Sequence, residues 1–355
     1  MILVSVIIKA LNEERHISAA IESAMRALKG VDGEIIVADS ASSDRTVEIA
    51  LRHPVKVARL ARAQDRSCGV GPQLGYQYIK GKYVCLIDGD MVLDENFIAR
   101  GLEFLEREPK VGGVGGLIAE NNVVNLEFKR RVKRGAPNQS AGPVDRLNGG
   151  GLYRRSAIAA SGYFSDRNLH AREEYDLATR LRTVGWRLYR LNQPFVSHYG
   201  HTENAYRLLW RRLRNGYLRG SGEVLRAALG KPHLRLVVGE LRELRLWLAV
   251  CLWWLAIAAT FRLAPNAVIG GAVALCVAIC PFALMSLRYR SFQLGVYAVV
   301  AWNFHALSAV MGFLHRRVPP DRWIDSHLVE GPGAAGALGE RHSSVGAGSA
   351  RRRVS

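Results

Sequence analysis

The sequence predicts an α/β domain on a parallel-dominated sheet, followed by amphipathic helices and then by transmembrane helices. Three observations predict it. Short β-branched apolar runs alternate with helix-periodic segments through the N-terminal third. Polar or acidic residues fall at the ends of three of these runs: Asn12-Glu13, Asp39 and Asp88-Gly89-Asp90. Beyond residue 245 apolar residues dominate and charges are few.

Taken in order, residues 4–8 (Val-Ser-Val-Ile-Ile) read as a buried strand, closed by Lys9-Ala10-Leu11-Asn12. Asn12 stands where it can cap the next helix. In that helix Ile17, Ala20, Ile21, Ala24, Met25 and Leu28 recur at helical spacing, and Gly30 ends it. Residues 34–39 are a second strand, and Ser42, Ser43 and Asp44 open a helix through Val47 and Ile49. A third strand covers 55–60, a turn at 69–72 leads into a helix over 73–79, and a fourth strand covers 83–87. It ends at Asp88-Gly89-Asp90, and a helix over 96–108 stops before Pro109. Such an alternation gives βαβ units, whose ligands sit beyond the carboxyl ends of the strands.

After residue 110 the pattern loosens. Residues 111–116 form a glycine-weakened strand, and a basic run follows at Lys129, Arg130, Arg131, Lys133 and Arg134. Gly149, Gly150 and Gly151 precede Leu152-Tyr153. A helix over 171–184 opens on acidic residues, and a strand over 186–191 leads to His198-Tyr199-Gly200-His201.

Residues 207–245 hold ten Lys or Arg against Glu223, Glu240 and Glu243, with Leu and Val interleaved. That suits amphipathic helices on an anionic membrane surface. Apolar segments follow at 246–261, 264–287 and 292–314. The last two reach the ~20 residues a bilayer span needs. The first is either a short span or an interfacial helix, so two or three spans are expected. Two are favoured, because they keep the arginine-bearing tail on the side of the basic helices. The tail, Gly/Ala/Ser-rich from Gly331, ends in Arg351-Arg352-Arg353. The expected division is a soluble domain at 1–205, basic interfacial helices at 206–245, transmembrane helices at 246–318 and a mostly disordered tail at 319–355.

The composition narrows the function. A hydrophobic fraction of 49% excludes a mainly disordered chain. The net charge of +18 attracts anionic lipid and phosphates, but no recognised nucleic-acid motif accompanies it, and the arginines cluster beside the apolar segments. The five cysteines form no CxxC pair and no disulfide framework. No secretory signal is visible at the N-terminus, so the N-terminal half is expected in the cytoplasm.

Four groups carry chemistry. Asp88 and Asp90 at the mouth of a parallel sheet can hold a hard divalent cation that binds a diphosphate, or form no more than an Asp-Gly turn. Glu173-Glu174-Tyr175-Asp176 either complements a helix dipole or supplies a general base. His198 is a structural histidine or a metal ligand. The glycine run at 149–151 is a flexible loop, or a place where backbone approaches a ligand closely.

In combination and order these features, over about residues 3–202, resemble glycosyltransferase family 2, the inverting enzymes of the GT-A fold. Residues 4–8 with Asn12-Glu13-Glu14 look like that family's first strand and NE turn. Asp39-Ser40-Ala41-Ser42-Ser43-Asp44-Arg45-Thr46 is similar to its second strand end. Asp88-Gly89-Asp90 takes the DxD place, and Glu173-Glu174-Tyr175-Asp176-Leu177 with Arg180-Leu181 and Gly185 resembles its acidic helix. Four departures stand out: Lys9 for the usual Pro, Gln73 for a common Asn, Glu174 for the usual Asp base, and no Q-x-x-R-W motif, which argues against processive polymerisation.

The resemblance implies transfer of a sugar from a nucleotide-diphosphate sugar, with inversion. It implies nucleotide-sugar contacts at Ala10, Asn12, Glu13, Asp39 and Asp88, with Asp39 on the base. It implies a Mg²⁺ or Mn²⁺ ion on Asp88, Asp90 and His198, an acceptor-side loop at Gly149 and Gly150, and Glu174 as base, with Glu173 and Asp176 as rivals. The membrane half points to a lipid-linked or membrane-associated glycan acceptor in exopolysaccharide or cell-surface glycan synthesis, with catalysis at the inner face of the cell membrane. The alternatives are a polyprenyl-phosphate glycosyltransferase and an inactive membrane protein with a GT-A domain.

Overall fold

The computed structural model describes residues 2–120, 140–198, 205–241 and 243–333. The basic run at 129–134, His201, Arg242 and the end of the tail lie outside the described residues.

Four strands form a parallel core: β1 (Val4–Ala10), β2 (Gly33–Asp39), β3 (Lys56–Leu60) and β4 (Tyr83–Asp88). β1 lies between β2 and β4, and β3 follows β2. Their β-branched residues are buried on both faces, as a sheet covered on both sides requires. Val6 and Ile8 pack towards α1 (Ile17–Ala27) and α4 (Phe97–Arg107). Ile7 packs the other way, with Leu74 of α3 (Val70–Tyr76). The short α2 (Thr46–Ala50) connects β2 to β3.

Beyond β4 the sheet becomes mixed, in the order β10-β3-β2-β1-β4-β8-β6-β9-β5. β8 (Gly151–Arg154) runs antiparallel to both β4 and β6 (Val111–Glu120), whereas β6 and β9 (Arg187–His198) are parallel. β5 (Met91–Leu93) and β7 (Gly142–Val144) pair antiparallel with β9. Two further helices, α5 (Arg155–Ala160) and α6 (Glu173–Thr183), cover the α3 face.

Two expectations change here. Asn12 does not cap α1, which begins at Ile17 without a side-chain cap. Asn12 sits at φ 58, and its Oδ1 accepts from the Ser43 amide at 2.8 Å, tying the first strand turn to the second. Residues 319–333, expected within a disordered tail, contain β10 (Ser326–Glu330), which adds to β3 as an antiparallel edge strand. An exposed edge strand needs little apolar character, which is why composition does not reveal it.

The C-terminal half is helical: α7 (Ala205–Arg214), α8 (Gly220–Ala228), α9 (Leu234–Glu240), then α10 (Glu243–Leu263), α11 (Ala267–Tyr289) and α12 (Phe292–Leu314). The last three, of 21, 23 and 23 residues, are each long and apolar enough to cross a membrane. The first of them starts three residues earlier than the apolar run suggests, so it is not short.

These three helices differ in packing. α10 buries only Val250, and α11 only Gly270 and Ala274. α12 buries a face of small residues. The carbonyl of its Ala309 fills the place a side chain at Gly222 of α8 would take, and the Arg219 carbonyl likewise leaves no room for a side chain at Gly312. Tyr297 meets Tyr206 of α7 edge-on at 5.1 Å.

Both ends of the three-helix segment are fastened to the sheet domain. At its start Arg172 donates to Glu243 Oε1 at 2.6 Å. At its end Arg317 pairs with the fully buried Asp166, Asn168 exchanges two hydrogen bonds of 2.9 Å with Val318, and β10 joins the sheet.

Candidate active site

The carboxyl ends of β1, β2 and β4 and the first turn of α6 converge on one cleft with two lobes. The first lobe, about 450 Å³, is lined by Lys9, Ala10, Glu13, Asp88 and Asp90, with Arg66 at its side. The second, about 460 Å³, is lined by Arg146, Gly149, Arg172, Glu173 and Glu174. Lys9, Cys68, Asp88 and Tyr217 belong to both walls.

Two loops shape the first lobe. The Glu13 amide donates to Thr46 Oγ1 at 2.8 Å and the Asn12 amide to Ser42 Oγ at 2.9 Å. Asp44 accepts from the Glu14 and Thr46 amides at 3.1 and 3.0 Å. The hydroxyl-rich stretch after β2 is thus a scaffold for the Asn12-Glu13 turn. Asp39 is fully buried behind this wall, accepting from the Ser42 amide at 3.1 Å with Arg59 at 3.6 Å. Burial raises its pKa, against the Ser42 hydrogen bonds.

Lys9 is the centre of the cleft. Its ammonium lies 3.0 Å from Asp88 Oδ1 and 3.1 Å from Glu173 Oε1. Burial works against its charge, but Asp88, Glu173 and Glu174 outweigh burial and raise its pKa well above the ordinary value. Asp88 and Asp90 close β4 two residues apart. Burial raises the Asp88 pKa; Lys9 opposes that and the like charge of Asp90 adds to it.

The second lobe is built on glycine. Gly149, Gly150 and Gly151 all have positive φ, and a Cβ at Gly150 would stand 2.0 Å from the Leu86 carbonyl. The loop therefore lies tight on β4 and turns two amides outward. Both meet Glu174 Oε1, the Gly149 amide at 2.7 Å and the Gly150 amide at 3.1 Å. Burial, and then the Glu173 charge, raise the Glu174 pKa to about 7, with Lys9 opposing them. A carboxyl poised there can exchange a proton at neutral pH. Cys68 nearby is pushed up to about 12 by burial and Glu173, so it is a neutral thiol and a poor nucleophile.

The sequence-expected residues therefore divide. Ala10, Glu13, Asp88, Asp90, Gly149, Glu173 and Glu174 line the cleft, Gly150 backs it, Asn12 shapes the turn beside it, and Asp39 is buried behind it. Asp176 faces away: it is fully buried and accepts from Arg180 Nε at 2.8 Å. His198 pairs through its backbone with Met91, one residue beyond Asp90, and its side chain lies outside the description. Among the described residues no three His, Cys, Asp or Glu side chains gather as a metal site.

Sequence reasoning missed Arg66, Arg172, Tyr217 and the central place of Lys9. Lys9 carried one signal, a cation at the end of an apolar strand. Arg172 carried none, although its φ of 68 is rare for a non-glycine residue.

Comparisons with known proteins give a family match and a likeness of fold. Residues 5–160 match the family model described as Glycosyl transferase family 2. The chain is 27% identical over 138 residues to a dolichol-phosphate mannosyltransferase of Pyrococcus furiosus, covering 38% of this chain and 39% of that protein, so it spans well under half of that relative. It is 22% identical over 276 residues to the succinoglycan biosynthesis protein ExoA of Rhizobium meliloti, covering 69% and 79%. Among solved structures, the mannosyltransferase PcManGT of Pyrobaculum calidifontis, in complex with GDP-Man and Mn2+, superposes with a TM-score of 0.56. That likeness covers 88% of this chain and 86% of the other at 17% identity, and is a likeness of fold.

Proposed function

We propose, from the premise that this chain carries a glycosyl transferase family 2 domain, that it moves a sugar from a nucleotide-diphosphate sugar to a hydroxyl of a lipid-linked saccharide, with inversion. The observation that carries this reading is Glu174, a carboxyl held by two glycine amides with a pKa of about 7, in a lobe that shares Asp88 with the lobe of Asp90. The donor diphosphate takes the first lobe and the acceptor the second. As the acceptor oxygen attacks the anomeric carbon, its proton passes to Glu174 while the bond to the diphosphate breaks. One displacement inverts the anomeric centre.

Asp88 and Asp90 fit a divalent cation: two carboxylates that repel each other line one wall of the donor lobe. When bound, such an ion offsets charge building on the departing diphosphate. Lys9 adds a fixed positive charge between the lobes. Asp90→Ala should therefore abolish turnover in a chain that still folds. Normal turnover of that variant would remove the metal assignment.

A hydroxyl acceptor is favoured over a polyprenyl phosphate. A phosphate oxygen is already ionised and needs no base, whereas a hydroxyl must lose a proton, which Glu174 is placed to take. The likeness to ExoA over 79% of its length supports a saccharide acceptor in polysaccharide synthesis. The test is transfer by the full chain from UDP-, GDP- and dTDP-sugars to a lipid-diphosphate monosaccharide and to a polyprenyl phosphate. Product with inverted configuration on the saccharide is expected. Turnover confined to the phosphate acceptor would sink this reading.

The pH profile follows from the same residue. The base must be ionised, so kcat/KM should rise with pH through about 7 and then level. Lys9→Met removes a cation that holds the Glu174 pKa down, so the rising limb should move to higher pH. An unmoved limb would detach Lys9 from the base.

The membrane half supports two crossings, not three. An odd number would leave β10 across the membrane from β3, its partner. α10 and α11, almost unburied, fit a crossing hairpin. α12 packs on α8 and is joined to the hairpin by Trp254 Nε1 donating to Asn303 Oδ1 at 2.8 Å, and it is read as the interfacial helix because the chain after it returns to the sheet. Both basic flanks then stay on the catalytic side, and the excess of Lys and Arg there favours the cytoplasmic face. In intact cells an impermeant maleimide should label Pro265→Cys, between the two crossing helices, and spare Asp321→Cys. Equal labelling of both would restore the third span.

A further inference from the structure

A cavity of about 310 Å³ opens where the chain leaves α12 and meets the loop after β3. Five arginines line it, Arg62, Arg66, Arg167, Arg316 and Arg322, against Asp65 and Asp325. Arg62 lies 2.9 Å from Asp65 and 3.6 Å from Asp325, so one arginine engages both carboxylates. Arg66 donates to the Ser40 and Ala41 carbonyls, and Arg167 to the Arg322 and Trp323 carbonyls at 3.2 Å. The side chains of Arg316 and Arg322 have no hydrogen-bond or ion-pair partner among the described residues. The cavity is thus short of negative charge. Burial, and then Arg322 and Arg62, lower the pKa of Arg167, with Asp65 and Asp325 opposing them.

The rim is apolar. Trp323 and Val318, 55% and 41% exposed, line the same cavity. It begins with His315, immediately after Leu314 ends the apolar α12. A basic pocket beside an exposed Trp, at the end of an apolar helix, has the make-up of a lipid head-group site.

We propose that this cavity binds the phosphate of an anionic membrane lipid, with Arg316 and Arg322 on its oxygens and Trp323 against the glycerol and acyl chain. Guanidinium groups suit phosphate because their forked donors match two oxygens at once. A soluble phosphate would satisfy the arginines and leave the apolar rim without purpose. The inference needs α12 at the membrane and does not depend on the transfer reaction. Its consequence is a second contact that seats the catalytic domain on an anionic leaflet, on the far side of Arg66 from the donor lobe.

The test uses the full chain in detergent micelles. Brominated phosphatidylglycerol and brominated phosphatidylcholine are titrated, and quenching of Trp323 is read as the difference between the native chain and Trp323→Phe. Phosphatidylglycerol should quench at the lower mole fraction. Replacing both Arg316 and Arg322 by Ala should raise its midpoint roughly 25-fold, about fivefold per charge removed, and leave phosphatidylcholine unchanged. The Arg316→Lys, Arg322→Lys pair, which keeps the charge but not the fork, should fall between. Equal midpoints for the two lipids, or an unmoved midpoint in the Ala pair, would overturn the site. Displacement of the quencher by micromolar inorganic diphosphate would assign the cavity to a soluble phosphate and overturn the lipid.

Discussion

Glu174→Gln should lower kcat by about 10²–10⁴-fold, the usual effect of removing a general base, and leave donor affinity nearly unchanged. The amide oxygen of Gln still accepts from Gly149 and Gly150, which bond Oε1 at 2.7 and 3.1 Å, so the glycine loop keeps its place. What is lost is the proton acceptor. Glu174→Asp should retain part of the activity, its carboxyl being one methylene short of the same amides. Glu173→Gln weakens one arm of the Lys9 bridge, 3.1 Å long, and should cost far less. The decisive measurement is kcat beside donor dissociation constant for Gln at 173 and 174. A large loss at 173 with a mild one at 174 would exchange their roles. Loss of donor binding at 174 would move that residue to the first lobe.

The two neighbours illustrate what a sequence can and cannot say. Adjacent helical residues point about 100° apart, so Glu173 and Glu174 were bound to differ, but periodicity could not say which met which partner. The answer lies in residues far along the chain: Lys9 at the end of β1 takes Glu173, and the glycine amides take Glu174. The parallel core was legible because its strands are buried on both faces and read as unbroken β-branched runs. Asp88-Gly89-Asp90 was legible for the same reason, as polar residues closing such a run. Lys9 looked like the end of a strand because its role depends on two carboxylates brought in by folding. β10 was hidden because its residues are exposed, and exposure leaves no apolar pattern. Length and hydropathy qualify three helices, and the sequence favours two crossings only through its basic flanks; the antiparallel pairing of β10 with β3, which supports an even number, leaves no trace in composition.

Arg180→Met should be the most destabilising of the changes considered, costing about 3–5 kcal/mol, the range for breaking a buried ion pair from one side. Arg180 is 4% exposed and its partner Asp176 is 0% exposed. Its guanidinium also donates to the Ser161, Tyr163 and Phe164 carbonyls, at 3.1, 2.6 and 3.2 Å, and so ties α6 to the turn that follows α5. The loss depends on pH with a definite sign. Burial raises the Asp176 pKa and Arg180 lowers it, so without Arg180 the folded pKa rises further above the unfolded value. A carboxyl of that kind is tolerated protonated and penalised ionised. The variant should therefore lose less at pH 5 than at pH 8, a difference read from melting temperatures of the full chain in detergent. Asp176→Asn keeps an acceptor for Arg180 Nε, and the Ser161, Tyr163 and Phe164 carbonyls still hold the guanidinium, so it should cost less, and the protein that remains folded should turn over near the wild-type rate. That separates Asp176 from Glu174, two residues and one function apart on the sequence. An Asp176→Asn protein with unchanged melting and a kcat lower by about 10²-fold or more would make Asp176 the base and leave Glu174 as a loop anchor.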